Sequence, residues 1–437
     1  MIIKKLKGES AVIEYSLKYG KEYVNISVPE KSDITVLEPE ASSPIPDIES
    51  ALIYSINNPI ESPPLPNLLS PTDKITIVIS DATRSWIGIN NILPPLVNSL
   101  NSSGIKDEDI VILVALGTHR FQTEEEIASL VGKEIYGRIN IVQHDCDDYS
   151  NLQYIGTTSL GTEVEVNKLL LNRKVIITGG IVHHDMAGFG GGRKSILPGC
   201  VSRKTIFQNH VHTMKPDGQG IDPRVGTGKL EDNPLNMDMV EAMNMVAPIF
   251  LINLVVDGDG KTIGIFCGDP YAAWYEGCKF ADDAFSINID KPSDLTIVSC
   301  GGYPKDINLY QATKSLFNAA AATKDGGNIV FLAECIEGGG SDKFYGWGKY
   351  LPFDNLEKEL RKHFTIEGYI FYYAVYIAQK YSVYLMSKDP DETVKDMGFI
   401  TVDNINDTIC NIVNKKPINS IYIMPYGSTT IPKITDK

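Results

Sequence analysis

The sequence lacks the cysteine arrangements that mark disulfide frameworks and zinc sites. Its seven cysteines are scattered over positions 146 to 410, and no two of them form a C-x-x-C pair. An odd number of widely spaced cysteines is typical of reduced intracellular thiols. The longest apolar run, near residues 246–256, is shorter than the roughly 20 residues of a membrane span. The N-terminus also has no apolar core typical of a signal peptide. We therefore predict a soluble cytoplasmic protein.

The sequence has fewer positively charged than negatively charged residues. The 40 Lys and Arg residues are outnumbered by 55 Asp and Glu residues, which gives a formal net charge of −15. This balance argues against nucleic acid or an anionic membrane as a partner, while leaving room for a local cationic pocket.

The pattern that is present indicates two α/β domains with mostly parallel sheets. Apolar runs typical of buried strands recur at 75–79, 110–116, 139–142 and 175–177, and again at 295–300, 329–333, 383–386 and 421–423. Helical stretches separate many of them. We predict an N-terminal domain over 1–275 and a C-terminal domain over 276–437, with the active site in the crevice between the domains. Short alternating runs before residue 38 predict a small β region packed on a larger domain.

A glycine-rich stretch at 179–199 follows the predicted strand at 174–178. Four glycines occur between Gly188 and Gly192, which suits a backbone that wraps around an anion such as phosphate. A Walker A loop and a dinucleotide fingerprint both require glycine where Arg193 stands, so neither motif matches. His183 and His184 precede the glycines, and Lys194 follows them. The alternative is a flexible turn with a solvated lysine.

Polar residues also follow two other predicted strands. Asp81-Ala-Thr-Arg84 comes after the run at 75–79, and Gly-Thr-His119-Arg120 comes after the run at 110–116. The carboxyl ends of parallel strands share one edge of a sheet, so these residues and the glycine-rich stretch are expected to converge. Arg84 suits bidentate capture of a carboxylate. The alternative is that Asp81 caps the following helix and pairs with Arg84. His119 and a histidine of the 183–184 pair could act as alternate acid and base.

Two downstream segments leave their roles open. Ser202 is expected to cap a helix that carries His210 and His212, and two histidines so spaced diverge, so a surface or core role is favoured over metal binding. In the second predicted domain, Tyr310, Gln311 and Lys314 share one helix face by their spacing. That face is either a solvated first turn or a grip on a substrate anion.

The order of these motifs resembles the nickel-dependent lactate racemase family over about residues 81–345. The motifs are Asp81-x-Thr-Arg, Gly117-Thr-His-Arg, His184 followed by Ala-Gly-Phe-x-Gly-Gly-Arg-Lys-Ser-Ile-Leu-Pro-Gly, Asn209-His, and Gly301-Gly-Tyr-Pro-Lys-Asp-x-Asn-Leu-Tyr-Gln-Ala-x-Lys. The resemblance implies a nickel-pincer nucleotide, a pyridinium-3-thioamide-5-thiocarboxylic acid mononucleotide made by separate biosynthesis enzymes and joined covalently to a lysine.

The resemblance also implies a role for each matching residue. Lys194 would be the tether and His210 the remaining nickel ligand, while His119 and His184 would be the acid/base pair. Further cofactor contacts would come from Gly190, Gly191, Gly192, Arg193 and Ser195, and substrate contacts from Asp81, Arg84, Tyr310, Gln311 and Lys314.

The implied reaction is racemisation or epimerisation of a 2-hydroxy acid. One histidine takes the hydroxyl proton while the α-hydrogen passes to the cofactor as hydride, and the resulting ketone is reduced on its other face. Ser85-Trp86 and Asp185-Met186 depart from the usual family pattern. We therefore expect a substrate that is lactate-like or more polar. Asp185 either selects a polar substrate or orients His184. A non-catalytic nucleotide-binding or sensor protein and a nicotinamide-dependent dehydrogenase are the alternative interpretations.

Overall fold

The computed structural model describes residues 2–4, 12–30, 32–39, 42–218, 220–258, 260–389 and 392–435. The chain packs as two compact units. One, here the glycine-loop unit, is Ala41–Ala284. The other, here the split unit, combines Met1–Glu40 with Phe285–Lys437. Each unit is a mixed α/β fold built on a large sheet, as the sequence predicts.

The described residues form strands and helices in the following chain order. The strands are β1 Ile2–Lys4, β2 Val12–Tyr19, β3 Glu22–Pro29, β4 Asp33–Val36, β5 Ile75–Ser80, β6 Ile110–Ala115, β7 Asn140–Gln143, β8 Leu152–Thr157, β9 Glu163–Asn167, β10 Lys174–Gly180, β11 His183–His184, β12 Gly188–Phe189, β13 Phe250–Val256, β14 Thr262–Gly268, β15 Ser286–Ile289, β16 Ser293–Ser299, β17 Thr323–Leu332, β18 Ser382–Met386, β19 Ile400–Thr401, β20 Ser420–Met424 and β21 Ile431–Ile434. The α-helices are α1 Ile48–Asn57, α2 Ile89–Ser102, α3 Glu124–Val131, α4 Lys133–Tyr136, α5 Arg203–His210, α6 Pro234–Val246, α7 Ala272–Phe285, α8 Leu309–Ala322, α9 Asp342–Tyr345, α10 Phe353–Lys362, α11 Ile366–Lys380, α12 Thr393–Asp396 and α13 Ile405–Lys415.

The sheet of the glycine-loop unit has the strand order β14-β13-β10-β5-β6-β7. Its pairs are parallel except for β13 and β14, which run antiparallel. The central strands are mostly apolar because both faces of such a sheet are covered; in β13, for example, all seven residues are buried. The predicted strands at 75–79, 110–116, 139–142 and 175–177 correspond to β5, β6, β7 and β10.

The sheet of the split unit has the order β19-β18-β17-β16-β20-β4, with every pair parallel. Strand β4 enters this sheet at its edge, where Ile34 lies opposite Ile421. The hairpin of β2 and β3 packs its apolar side chains, such as Leu17 and Ile26, into the same core as the sheet.

The two units therefore divide the chain differently from the predicted ranges 1–275 and 276–437. The predicted β region before residue 38 exists as β2, β3 and β4, but it belongs to the unit formed by the C-terminal residues. The cause is the long-range pairing of β4 with β20, which no local pattern in the sequence records. None of the helices in the described ranges has the length and apolar character needed to cross a membrane.

Candidate active site

Three neighbouring strands of the glycine-loop unit deliver the predicted site residues to one edge. Strands β10, β5 and β6 lie side by side in parallel. Asp81 directly follows β5, His119 lies four residues beyond β6, and the His183-His184 pair follows β10. Because parallel strands end on the same edge, this topology accounts for the expected convergence.

Asp81 and His119 form a hydrogen-bonded pair. The His119 Nδ1 atom lies 2.6 Å from Asp81 Oδ2. The carboxylate side chain is only 4% exposed, whereas the imidazole is 45% exposed. Burial raises the pKa of Asp81, but the hydrogen bond and charge of His119 outweigh it and hold that pKa below its usual range. Asp81 is therefore an ionised acceptor that orients His119, with Nε2 as the ring nitrogen left for proton transfer.

The second oxygen of Asp81 connects the pair to Arg84. Thr83 donates its hydroxyl to Asp81 Oδ1 at 2.7 Å, and Arg84 Nη1 donates to the Thr83 hydroxyl at 2.9 Å. Asp81 makes no side-chain capping bond to the helical segment that follows it. The carboxylate thus binds His119 and makes no capping bond, which differs from the interpretation of Asp81 as a helix cap.

Lys194 and His184 are in direct contact. Lys194 Nζ lies 2.9 Å from His184 Nε2. On the other side of the ring, His184 Nδ1 lies 3.2 Å from Asp185 Oδ1. The backbone nitrogens of Met186 and Ala187 approach the same Nδ1 atom at 3.2 and 3.3 Å. The spacing of ten residues between His184 and Lys194 thus brings an imidazole and an amine together.

Burial and positive neighbours lower the pKa values of both this amine and this imidazole. Burial lowers the pKa of Lys194 to about 7, and the charges of Arg193 and Arg84 push in the same direction against the opposing effect of Asp185. The pKa of His184 falls well below its ordinary value, mainly through burial and then through Lys194 and Arg84. Near neutral pH, the neutral and protonated forms of Lys194 are both populated, next to a neutral imidazole.

His183, the neighbour of His184, is engaged elsewhere. Its Nε2 atom lies 3.0 Å from Asp282 Oδ1, and its ring packs at 4.5 Å from the Phe189 ring. The side chain is only 6% exposed. Of the adjacent histidines, His184 is the one whose ring contacts Lys194.

Arg193 holds the glycine-rich loop from inside. Its guanidinium is fully buried and lies 4.0 Å from the centre of the Trp274 ring. Nε donates to Asn236 Oδ1 at 2.9 Å, Nη1 to the Phe189 carbonyl at 2.8 Å, and Nη2 to the Ala187 carbonyl at 2.6 Å. Each guanidinium nitrogen therefore donates to a protein group, and the side chain serves the loop rather than an external anion.

Two of the glycine amides in this stretch bind groups of the protein itself. The Gly190 amide donates to the Val182 carbonyl at 2.7 Å, and the Gly192 amide donates to Asn253 Oδ1 at 2.9 Å. Gly192 has a φ of +54°, and a Cβ atom there would lie 2.5 Å from Trp274. Position 192 therefore requires glycine both for its positive φ and for close packing against Trp274. Ser195 likewise donates to the Thr178 carbonyl at 3.0 Å.

His210 is a buried histidine with one ring nitrogen fixed by its own helix. Ser202 caps α5 by accepting from the Thr205 amide, as predicted. At the other end of α5, His210 Nδ1 lies 3.0 Å from the Ile206 carbonyl, so Nδ1 carries the proton and Nε2 presents a lone pair. Burial, reinforced by Lys194, lowers the pKa of His210 to about 3.

This arrangement suits a single metal bond from the protein. Metal-binding histidines commonly donate their second nitrogen to a carbonyl in this way. Among the described residues, the one cluster of three or more potential ligand side chains is Asp145, Cys146 and Asp147, which does not include His210. His210 is therefore not part of an all-protein metal centre in that portion of the chain.

Comparisons with known proteins agree with the motifs. The chain matches the family model of the lactate racemase N-terminal domain over residues 19–222 and that of the C-terminal domain over 289–431. A lactate racemase of Thermoanaerobacterium thermosaccharolyticum is 34% identical over 351 residues, which cover 79% of this chain and 80% of that protein. A lactate racemase of Lactiplantibacillus plantarum is 40% identical over 294 residues, 67% of each chain.

The chain belongs to the lactate racemase family. Membership places it among the racemases, a class of isomerases. The fold agrees, since the structure of the lactate racemase apoprotein from T. thermosaccharolyticum superposes with a TM-score of 0.87 at 30% identity, covering 96% of this chain and 100% of that one. A Thermotoga maritima protein, with a TM-score of 0.63 and 18% identity, shares the fold alone.

In this lactate racemase family member, Tyr310, Gln311 and Lys314 lie on helix α8 of the split unit. Lys314 donates to Gln311 Oε1 at 2.9 Å on α8, which confirms that the two side chains share a face. The Tyr310 ring lies 5.8 Å from the Phe344 ring in an edge contact. These three residues remain predicted substrate residues.

Sequence reasoning missed the residues that support the glycine-rich loop. Trp274 donates from Nε1 to the Gly190 carbonyl at 2.9 Å, and Asn253 accepts from Gly192. Asn253 stands inside the otherwise apolar strand β13 and is completely buried. A polar residue within a fully buried strand must find a partner, and this is the signal that could have identified it.

Proposed function

We propose that this family member racemises or epimerises a 2-hydroxy acid, lactate or a more polar relative, with a nickel-pincer nucleotide tethered to Lys194. The reaction would be a reversible, proton-coupled hydride transfer. The observation that carries the proposal is the 2.9 Å distance between Lys194 Nζ and His184 Nε2, which sets the tethering amine beside an acid/base group. Relatives named lactate racemase support lactate as the first substrate to test.

The residues present fit such a cofactor. A lysine amine whose pKa is lowered to about 7 has a substantial neutral fraction near neutral pH, and the neutral form is suited to forming an amide-type bond. His210 offers a neutral Nε2 with its other nitrogen already fixed, and imidazole is a good nickel ligand. Lys194 would hold the nucleotide and His210 would complete the nickel coordination. Gly190, Gly191, Gly192, Arg193 and Ser195 would shape the loop that presents Lys194.

The protein's own part in the reaction is positioning and proton transfer. His119, oriented by Asp81, would exchange a proton with the 2-hydroxyl through Nε2 for one enantiomer, and His184 would do so for the other. When bound, the cofactor supplies the acceptor that takes a hydride from the substrate and returns it. Two bases suit a reaction that inverts the configuration at a carbon stereocentre, because each base can serve one enantiomer.

Substrate binding is assigned to the cationic and polar groups of the family motifs. Arg84 is exposed at the end of β5 and suits a carboxylate. Its charge already contributes to lowering the pKa of His184 and Lys194, so it lies close enough to influence both. Tyr310, Gln311 and Lys314 complete the proposed set. Trp86, which is 39% exposed, follows Arg84 and is a further candidate for setting substrate preference.

The test uses protein co-expressed with the cofactor-biosynthesis enzymes. Wild type is expected to carry a covalent mass on Lys194 and nickel, and to abolish the optical rotation of at least one enantiopure 2-hydroxy acid in a panel that begins with lactate. Lys194→Ala is expected to lose the added mass and the activity. Exposed Lys106→Ala is the matched control and should keep both.

Two results would contradict the proposal. Full nickel content, covalent mass and activity in Lys194→Ala would remove the tether assignment. Wild type that carries the mass and nickel yet leaves every tested acid optically active would favour a binding or sensor protein.

A further inference from the structure

Asp185, His184 and Lys194 form a continuous line of polar contacts. Asp185 Oδ1 lies 3.2 Å from His184 Nδ1, and His184 Nε2 lies 2.9 Å from Lys194 Nζ. The carboxylate is 14% exposed and the imidazole 21% exposed. The order carboxylate, imidazole, nucleophile is that of a hydrolase triad, with an amine in the position of a serine hydroxyl.

We propose that Asp185, His184 and Lys194 are an acyl-transfer triad with which the cofactor-free chain acylates its own lysine, using an activated acyl or thioacyl donor. The inference rests on the proposed function only in taking Lys194 as the tether. It adds that the chain itself activates the lysine and that Asp185 is a positioning residue for this step.

The step balances without a further reactant. The lone pair of neutral Lys194 Nζ forms a bond to the donor's acyl carbon while a proton on Nζ passes to His184 Nε2. The bond between the acyl carbon and its leaving group then breaks, and the leaving group departs with the electron pair. His184 returns the proton to the leaving group or to water. The product is an amide or thioamide at Lys194.

Asp185 and two backbone amides compete to set which nitrogen of His184 can accept that proton. With the ring proton on Nδ1, Asp185 accepts it and Nε2 is available to the amine. With the proton on Nε2, the Met186 and Ala187 amides donate to Nδ1 and the amine loses its base. The two amides stabilise the second tautomer, and the ionised carboxylate at 3.2 Å stabilises the first. The proposed step uses the first tautomer, so Asp185 is the group that makes the base available.

The groups around the amine keep it reactive. Lys194 is influenced by the charges of Arg193, Arg84 and Asp185, and its positive form also disfavours protonation of His210. Burial and the two arginines favour the neutral amine, whereas Asp185 opposes them. An exposed lysine such as Lys106 has no comparable environment, because its side chain is 71% exposed and faces Glu108.

The experiment treats full-length, cofactor-free protein with 4-nitrophenyl acetate at pH 7.5 and maps acetyl-lysine by peptide mass spectrometry over time. A Cys410→Ser background removes the exposed thiol that would compete for the reagent. Lys194 is expected to be acetylated at least about tenfold faster than Lys106. His184→Gln is expected to slow Lys194 by about 100-fold, since a general base commonly contributes that much. Asp185→Asn should slow it severalfold, and Lys106 should be unaffected in both variants.

An unchanged unfolding temperature establishes that each variant is folded, and an unchanged rate at exposed Lys106 shows that the reagent acts equally on each. Acetylation of Lys194 no faster than Lys106, or at the same rate in His184→Gln, overturns the triad. An unchanged rate in Asp185→Asn overturns the role of Asp185. If the triad fails while co-expressed protein still carries the tethered mass, the proposed function stands. If Lys194 reacts rapidly while co-expressed protein carries no tether, the proposed function fails and the triad stands.

Discussion

His119 Nδ1 donates a hydrogen bond to Asp81 Oδ2 across 2.6 Å, linking residues that lie 38 positions apart in the sequence. The two follow adjacent parallel strands, so the sheet itself sets their separation. The buried carboxylate fixes the ring orientation, and the partly exposed imidazole presents its other nitrogen. Removing the charge of Asp81 should therefore slow proton transfer by His119 measurably.

Asp81→Asn is expected to lower kcat for racemisation by roughly 100-fold while KM changes little. The amide can still accept from Nδ1, but it no longer stabilises a positively charged imidazole. Thr83→Val is the control, because it removes a neutral donor to Asp81 and one such hydrogen bond contributes only about 1 kcal/mol. Rates of cofactor-loaded enzyme over a pH series give the comparison. An unchanged kcat in Asp81→Asn would count against His119 as a base positioned by this carboxylate.

The convergence of Asp81, His119 and His184 could be predicted because it depends on local patterns alone. Each residue follows an apolar run, and strands of that kind pair in parallel in α/β proteins. Their order within the sheet required the structure, but their position at one edge did not. Strand boundaries agreed closely for the same reason, as with β5 at Ile75–Ser80 against the predicted 75–79.

The rest of the fold and of the site could not be predicted, because it depends on contacts between residues far apart in the sequence. Strand β4 pairs with β20 across nearly the whole chain, and this pairing assigns the first forty residues to the split unit. The glycine-rich loop suggested an anion cradle because glycine, arginine and lysine are also what phosphate sites contain. Asn253, which accepts from the Gly192 amide, is 61 positions away, and Trp274, which donates to the Gly190 carbonyl, is 84 positions away.

Arg193→Met is expected to destabilise the fold by about 3 kcal/mol or more, because the carbonyls of Ala187 and Phe189 lose a charged donor inside the protein. The shift in the chemical denaturation midpoint, followed by tryptophan fluorescence, measures the effect. Arg120→Met is the matched control, since that guanidinium pairs with Glu126 in solvent and such pairs contribute little. Equal midpoints for Arg193→Met and wild type would argue against a loop held by the guanidinium.

His210→Ala is expected to separate nickel binding from tethering. The variant should keep the covalent mass on Lys194 but lose most of its nickel, because the only proposed protein ligand to the metal is removed. His212→Ala is the control two residues away, where the Nε2 atom lies 3.5 Å from the Thr162 hydroxyl. Intact-protein mass and metal analysis of co-expressed protein report the two properties independently. Full nickel content in His210→Ala would exclude it as a required ligand.

His144 gives the fold an acid-sensitive component outside the proposed catalytic residues. Its Nε2 atom lies 2.9 Å from the Val201 carbonyl and its Nδ1 accepts from Asn167, so the buried ring is neutral, and burial lowers its pKa. In the unfolded chain the same ring binds a proton below about pH 6.5. The unfolded state therefore holds more protons as the pH falls, and the stability present above pH 6.5 is lost below it.

His144→Gln is expected to lower the unfolding temperature at pH 7.5 but to reduce its further drop between pH 7.5 and 5.5. The reduction is partial, because the lowered pKa values of His184 and His210 act with the same sign. Exposed His363→Gln should keep the wild-type drop, and an equally large drop in His144→Gln would assign the acid sensitivity to other groups.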